Sequence, residues 1–72
     1  IDLSLFSPRQ QDIIKILEEK GKITQKELET IMKIPKSSIS RNIQTLVIKG
    51  VIQKESVGLT NYISLKSVEH RA

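Results

Sequence analysis

The chain has 72 residues, no cysteine, one histidine and a formal net charge of +4 at neutral pH. It is expected to form one small domain with an aliphatic core, because it lacks the residues for disulfides or for a structural metal site. No apolar run approaches the roughly 20 residues that span a bilayer, and nothing resembles a signal peptide, so a cytoplasmic protein without membrane contact in this segment is expected.

The two ends of the chain carry weak patterns. Residues 1–6, IDLSLF, alternate apolar and polar side chains, which predicts either an added strand or a linker from a preceding domain. The first residue is Ile1 rather than methionine, and we therefore expect a fragment of a longer protein. Residues 67–72 show no periodicity and are predicted to form a tail.

Helix 1 is predicted over residues 8–20, within SPRQQDIIKILEEKG. Ser7 is a typical N-cap, Pro8 suits the first helical position, and Gln10 stands three residues after the serine as in a capping box. Apolar side chains then recur at helical spacing, which indicates a buried stripe. Gly21 is expected to end the helix.

Helix 2 is predicted over residues 24–32, where Thr24 and Glu27 form a second capping box. Its apolar face consists of Leu28, Ile31 and Met32. Only two residues separate this helix from Pro35, at which the next helix begins. Two helices joined by so short a turn, after a first helix, indicate a helix-turn-helix unit.

Helix 3 is predicted over residues 35–49 and ends before Gly50. At 100° per residue, one face is apolar and contains Ile39, Ile43, Leu46 and Val47. The opposite face is centred on Ser37 and Arg41. Serine is only a middling helix former, so three serines in four positions call for another explanation than helix propensity.

The period changes after helix 3, over residues 51–66. The stretches VIQKES and NYISLK are rich in strand-forming residues with rough alternation, and VGLT between them contains a glycine suited to a turn. We therefore predict an α+β fold in which three helices are followed by a two-stranded β-hairpin. This arrangement is a winged helix-turn-helix domain, occupying residues 1–72 as a single unit.

The positive charge is concentrated in one part of the chain. Residues 1–29 carry a net charge of −1 and residues 55–72 are neutral, whereas residues 30–54 carry five bases and no acid. The five bases are Lys33, Lys36, Arg41, Lys49 and Lys54. Such asymmetry is typical of a surface that binds a polyanion, although a solubilising face would have the same composition.

The stretch KITQKELETIMKIPKSSISRNIQTLVIKGVIQKE resembles the core of MarR- and ArsR-like prokaryotic transcription regulators. The positions that match their recognition helix and first wing strand are Ser37, Ser38, Ile39, Ser40, Arg41, Leu46, Lys49, Gly50, Val51 and Ile52. The wing sequence VGLTNYISL is similar to that of archaeal members. The resemblance covers residues 7–66 and implies sequence-specific binding of double-stranded DNA, with helix 3 in the major groove.

The resemblance and the chemistry of the residues together give two sets of candidate DNA contacts. Candidates for base edges are Ser37, Ser40, Arg41 and Gln44, since short hydroxyl side chains permit close approach and arginine can bind guanine through two hydrogen bonds. Candidates for phosphate contacts are Thr24, Gln25, Lys33, Lys36, Ser38, Thr45, Lys54, Thr60 and Asn61. For Thr24 and Gln25 the reason is the helix 2 N-terminus, whose free N–H groups suit an anion.

Several positions admit other interpretations or depart from the family pattern. Ser37 and Ser38 could instead cap helix 3, and Arg41 could be an ordinary solvated side chain. The family usually has charged residues where Val47 and Ile48 stand, and often an arginine at the wing tip in place of Leu59. Ile48 is therefore expected either to pack under the hairpin or to meet a partner protein, and the change at the wing tip weakens the case for minor-groove contact.

An enzyme is not expected, because no set of His, Cys or carboxylate residues has catalytic or metal-binding spacing and the single His70 lies in the tail. No cofactor is expected either. The competing interpretation is an accessory winged-helix module of a larger DNA-processing machine, such as the C-terminal domain of a replicative helicase. Either role could involve a homodimer or a longer protein, since one small module seldom binds DNA with strong specificity alone.

Overall fold

The computed structural model describes residues 3–66, which form three helices and a three-stranded antiparallel sheet. In chain order the elements are a 3-10 turn at Leu3–Leu5, α1 (Pro8–Lys20), β1 (Ile23–Thr24), α2 (Gln25–Met32), α3 (Lys36–Ile48), β2 (Ile52–Val57) and β3 (Thr60–Leu65). The winged helix-turn-helix fold predicted from the sequence is confirmed. Of the helices in this part of the chain, none is long and apolar enough to cross a membrane. The predicted tail at 67–72 lies outside the described residues.

The added strand considered for residues 1–6 is wrong for the part that the structure describes. Leu3–Leu5 form a 3-10 turn, closed by a hydrogen bond of 3.1 Å from the Phe6 N–H to the Leu3 carbonyl. In such a turn the side chains three residues apart lie on one side, and Leu3 and Phe6 both pack against the core. Leu5 lies on the other side of the turn and is exposed, although a strand with this alternation would place Leu3 and Leu5 on one face.

Both predicted capping boxes are present. The Ser7 Oγ accepts from the Gln10 N–H at 3.3 Å, and the Gln10 side chain accepts from the Ser7 N–H at 3.2 Å. At α2 the Thr24 Oγ1 accepts from the Glu27 N–H at 3.0 Å, and Glu27 Oε1 accepts from the Thr24 N–H at 3.0 Å. Each box satisfies N–H groups that the first helical turn would otherwise leave without partners.

Replacing Thr24 by alanine is expected to lower the free energy of unfolding by about 1 kcal/mol, because the α2 cap is lost. Urea denaturation of the two proteins measures this difference. Thr30→Ala is the matched control in the same helix, since the exposed Thr30 hydroxyl only donates back to the Lys26 carbonyl at 3.2 Å. Equal losses in both variants would contradict a capping role for Thr24.

The sheet has the strand order β1-β3-β2, so the hairpin gains a short third strand from the chain before α2. In β1, Ile23 pairs with Ile63 and Thr24 pairs with Tyr62. The sequence predicted the hairpin but not this pairing, because two residues are too few to show a strand pattern. The wing is therefore joined to the start of α2 as well as to the end of α3.

The core is aliphatic, as the composition predicts. All three helices and all three strands contribute, and the buried residues are Ile13, Ile14, Leu17, Ile23, Leu28, Ile39, Ile43, Leu46, Ile52 and Ile63. On α3 the buried positions follow helical spacing, which fixes the rotation of this helix about its axis. The opposite side of α3 consequently faces solvent.

The end of α3 is joined to the wing by a tight turn at Gly50. Gly50 has a φ of 77°, in the left-handed region that glycine adopts without steric cost. Its N–H donates to the Val47 carbonyl at 3.0 Å, and the next N–H, of Val51, donates to the Leu46 carbonyl at 3.0 Å. These two bonds form a Schellman motif, which ends the helix and directs the chain into β2.

Candidate nucleic-acid interface

The outward face of α3 is a continuous exposed stripe. It consists of Ser37, Arg41, Gln44 and Ile48, which follow one another at spacings of four, three and four residues. The first three are polar, and each was predicted to contact a base edge. Ile48, at the end of the stripe, is 77% exposed and does not pack under the hairpin.

The serines at the start of α3 do not cap it. The N-cap position is held by Pro35, without a side-chain hydrogen bond, and the Pro35 carbonyl accepts from the N–H groups of Ser38 and Ile39 at 3.0 and 3.1 Å. Within residues 3–66 the Ser37 and Ser38 hydroxyls have no hydrogen-bond partner. Ser37 is exposed and Ser38 half-buried, so the hydroxyl of Ser37 remains open to a partner outside the domain.

The two side chains predicted to bind phosphate at the N-terminus of α2 are both engaged within the domain. The Thr24 hydroxyl is occupied in the capping box, beside the carboxylate of Glu27. The Gln25 side chain is only 7% exposed, and its Nε2 donates to the Ser40 Oγ at 2.9 Å. Neither side chain is therefore free to bind phosphate, and a contact at this helix end would have to use backbone N–H groups.

A groove of about 320 Å³ separates α3 from the wing. Its lining is formed by Ser40, Ile43, Gln44, Val47 and Lys54. Lys54 is directly opposite the buried Ile63 on β3, so its side chain leaves the sheet on the side of α3. Two predicted base-edge residues and one predicted phosphate residue thus meet in one groove.

The other predicted contacts on the wing divide between its two faces. Asn61 is opposite Ser56 and accepts from its hydroxyl at 2.7 Å, on the same face as Lys54. Thr60 is opposite Val57 and lies on the other face. The prediction for Thr60 therefore applies to a surface that points away from the groove.

The outer face of the wing carries an ion pair. Lys22 Nζ is 3.0 Å from Glu55 Oε1, and the same nitrogen is 5.4 Å from the centre of the Tyr62 ring. Glu55 is the acidic residue of β2. Its side chain points away from the groove, so its negative charge does not neutralise Lys54 on the groove side. The groove side of the wing is therefore positive.

The remaining predicted residues lie around α3. Lys33 is exposed and has a φ of 55° at the end of α2, and Lys36 is exposed in the first turn of α3. The half-buried Thr45 donates its hydroxyl to the Arg41 carbonyl of its own helix at 3.1 Å. Lys49, which was not among the predicted contacts, lies over the Phe6 ring with its Nζ 5.0 Å from the ring centre.

Arg9, a basic residue near the α3 stripe, was not among the contacts predicted from the sequence. A cleft between the start of α1 and α3 is lined by Ser7, Pro8, Arg9, Ser38, Arg41 and Asn42. The two helices are linked here by Asn42, whose Oδ1 accepts from Gln10 Nε2 at 3.4 Å. Arg9 belongs to residues 1–29, which carry a net charge of −1, and only the packing of α1 against α3 brings it to the same cleft as Arg41.

The described part of the chain contains no group of three His, Cys, Asp or Glu side chains that could hold a metal ion. The interface is instead built from hydroxyl, amide, guanidinium and ammonium groups. These groups donate hydrogen bonds to anions and base edges. Their arrangement along one exposed helix and one groove suits an extended, negatively charged ligand.

Three solved structures are similar to this chain. HlyU of Vibrio vulnificus, a transcriptional regulator, has a TM-score of 0.80 and 22% identity over 89% of this chain and 66% of its own. HlyU of Vibrio cholerae has a TM-score of 0.79 and 18% identity over 90% of this chain and 71% of its own. A mutant MarR of E. coli complexed with operator DNA has a TM-score of 0.79 and 17% identity over 86% of this chain and 46% of its own. These likenesses show the winged-helix fold.

An uncharacterized protein of Pyrococcus abyssi is 37% identical over 59 residues, which cover 81% of this chain. The chain spans only 18% of the length of that relative, so the relative contains much more than a winged helix. A family model matches residues 5–66, which include every helix and strand described above except the first two residues of the N-terminal turn. The chain therefore belongs to the family described as a domain of unknown function (DUF7343).

Proposed function

We propose that this chain is the DNA-binding domain of a transcription regulator and recognises double-stranded DNA with α3 in the major groove. The observation that carries the proposal is the exposed polar stripe of α3, which stands beside the acid-free groove that α3 shares with the wing. The major groove is about 12 Å wide and admits one α-helix. The small Ser37 side chain on this stripe favours close approach of the helix to the bases.

Each polar residue of the stripe has a defined role in this proposal. Arg41 would bind the O6 and N7 atoms of guanine through its two-pronged guanidinium group. Gln44 would pair with adenine, and Ser37 would bind a base edge or a neighbouring phosphate. Lys36, in the first turn of α3, and Lys54, in the groove, would bind phosphates without regard to sequence.

Similar proteins support this role without establishing it for this chain. The HlyU protein of Vibrio vulnificus is named a transcriptional regulator, and the similar MarR structure contains operator DNA. A single module of this kind buries only about 600–1,000 Å² on DNA, so a homodimer or a longer protein would provide full specificity. The length of the Pyrococcus relative agrees with a domain that works inside a larger protein.

Two exposed apolar side chains favour a second candidate function. Ile48 is exposed at the end of the α3 stripe, and Leu59 is fully exposed at the wing tip, where a DNA-binding wing would favour a basic residue. An accessory module of a DNA-processing machine would use such side chains against a partner protein. In that case DNA binding would be weak and independent of sequence.

Titration of 30-bp duplexes at several salt concentrations tests the DNA role. If three to five phosphates are bound, the slope of log K against log[salt] is expected to be about −3 to −4.5. Lys54→Ala, in the groove, should make this slope shallower by about 1, whereas the control Lys15→Ala on α1 should leave it unchanged. Absence of binding at low salt would contradict the DNA role and favour the protein-binding alternative.

A further inference from the structure

Gln25 donates a hydrogen bond to Ser40, and the direction of this bond has no role in the function proposed above. Gln25 is the first residue of α2, and its side chain is the polar one with the deepest burial in residues 3–66. Its Nε2 donates to the Ser40 Oγ at 2.9 Å, and its Oε1 is buried without a hydrogen-bond partner among the described residues. Buried polar atoms are normally satisfied, so an unsatisfied oxygen at this position needs a reason.

The direction of this hydrogen bond determines what the Ser40 hydroxyl can offer to a ligand. A serine hydroxyl has one proton to donate and two lone pairs that accept. The Gln25 amide occupies one of the lone pairs from the inner side. Within residues 3–66 the Ser40 hydroxyl proton has no acceptor, and Ser40 lines the groove between α3 and the wing.

We propose that Gln25 is a positioning residue, which holds the Ser40 hydroxyl as a hydrogen-bond donor toward the DNA. This inference rests on the proposed function. Ser40 would then select a hydrogen-bond acceptor, which is either a phosphate oxygen or a base atom such as N7 of a purine, O6 of guanine or O4 of thymine. A serine without this inner partner can donate or accept, and would not distinguish these atoms from the amino groups of adenine and cytosine.

The unsatisfied Oε1 agrees with this role. A methionine or leucine at position 25 would fill the same space between α2 and α3 without burying an unsatisfied oxygen. The glutamine therefore does not stabilise the fold better than an apolar residue would. What glutamine provides instead is an amide N–H that donates to the Ser40 hydroxyl at the edge of the groove.

Gln25→Met removes the inner donor and keeps a side chain of similar volume, so the variant is expected to fold at least as stably as the wild type. Its affinity is measured on the duplex that the wild type prefers, selected from a pool of randomised 30-bp duplexes. We expect affinity to fall by about 3- to 10-fold, as for the loss of one hydrogen bond. Ser40→Ala should cause a similar loss, and the double variant should bind no worse than Ser40→Ala alone.

The control is Ser37→Ala, since Ser37 is on the same helix as Ser40 but shares no hydrogen bond with Gln25. Its effect on affinity should add to that of Gln25→Met. A duplex of scrambled sequence identifies the acceptor: a loss on the selected duplex alone assigns a base edge, and an equal loss on both duplexes assigns a phosphate. Either pattern, combined with non-additivity between positions 25 and 40, supports the proposal.

A second variant tests the polarity itself. Gln25→Glu places a carboxylate that can only accept, so the Ser40 proton would turn inward and the hydroxyl would accept from the groove side. If the scrambled duplex assigns a base edge, a new selection with this variant should change the preferred base at one position, which a structural role for Gln25 would not cause. If it assigns a phosphate, the affinity of this variant should fall equally on both duplexes, because the hydroxyl no longer donates to the phosphate oxygen. Unchanged binding by Gln25→Met, or additive effects of the substitutions at positions 25 and 40, would overturn the inference while the DNA role stands. Absence of wild-type binding would overturn both.

Discussion

Leu46→Ala is expected to lower the free energy of unfolding by about 2–5 kcal/mol. Leu46 is fully buried in the last turn of α3, where it packs with residues of the other helices and the sheet. The substitution removes buried apolar area and leaves a cavity that the surrounding side chains fill only in part. A domain of this size has a total stability of roughly 4–11 kcal/mol, so the substitution would remove a large fraction of it.

Chemical denaturation followed by circular dichroism measures the loss. Ile48→Ala is the matched control, two residues further along the same helix but 77% exposed, and its effect should stay within about 0.5 kcal/mol. The comparison also probes the surface around Ile48. A large loss in the control that depends on protein concentration would show that this side chain is buried in an assembly of the protein.

Arg41→Ala is expected to relax the preference for one base pair, at a cost of about 1–3 kcal/mol in binding the preferred duplex. Arg41 is exposed at the centre of the α3 stripe, between Ser37 and Gln44. A guanidinium group binds guanine through two parallel hydrogen bonds, and alanine makes neither. Arg41→Lys should recover the charge but not the base preference, because an ammonium group lacks the planar pair of donors.

Competition between the preferred duplex and single-base variants of it measures this effect. Arg9→Ala is the control, since Arg9 lies across the cleft from Arg41 at the start of α1. Its loss of affinity should be the same on every duplex, as for a phosphate contact. If Arg41→Ala also lost affinity equally on all duplexes, Arg41 would hold phosphate and base recognition would have to come from other residues.

The fold could be predicted because its signals are local. The capping boxes at Ser7 and Thr24, the helical spacing of the isoleucines and the glycine after α3 each depend on residues close together in the sequence. Only one strand was overlooked, because β1 has two residues and forms solely by pairing with β3. The 3-10 turn at the N-terminus was not predicted, because the alternating apolar residues there suggested a strand or a linker.

The candidate site was less predictable, since it depends on contacts between distant elements. Glutamine at the start of a helix is normally solvated, and nothing near Gln25 in the sequence shows that Ser40 covers it. Arg9 and Arg41 are likewise 32 positions apart, and the packing of α1 on α3 alone places them around one cleft. For Ile48 the sequence left open whether it packs under the hairpin, and the structure leaves it exposed on the outward face of α3.

The third strand has a mechanical consequence. The pairing of Ile23 with Ile63 fastens one side of the hairpin to the start of α2, and the bond from Val51 to the Leu46 carbonyl fastens the other side to α3. The hairpin base is therefore held on both sides, which restrains its movement relative to α3. In the proposed complex, a duplex that does not match the spacing between the hairpin and α3 would have to bend or change its groove width to fit. The stiffness of the DNA, which varies with its sequence, would then contribute to selectivity at base pairs that no side chain touches.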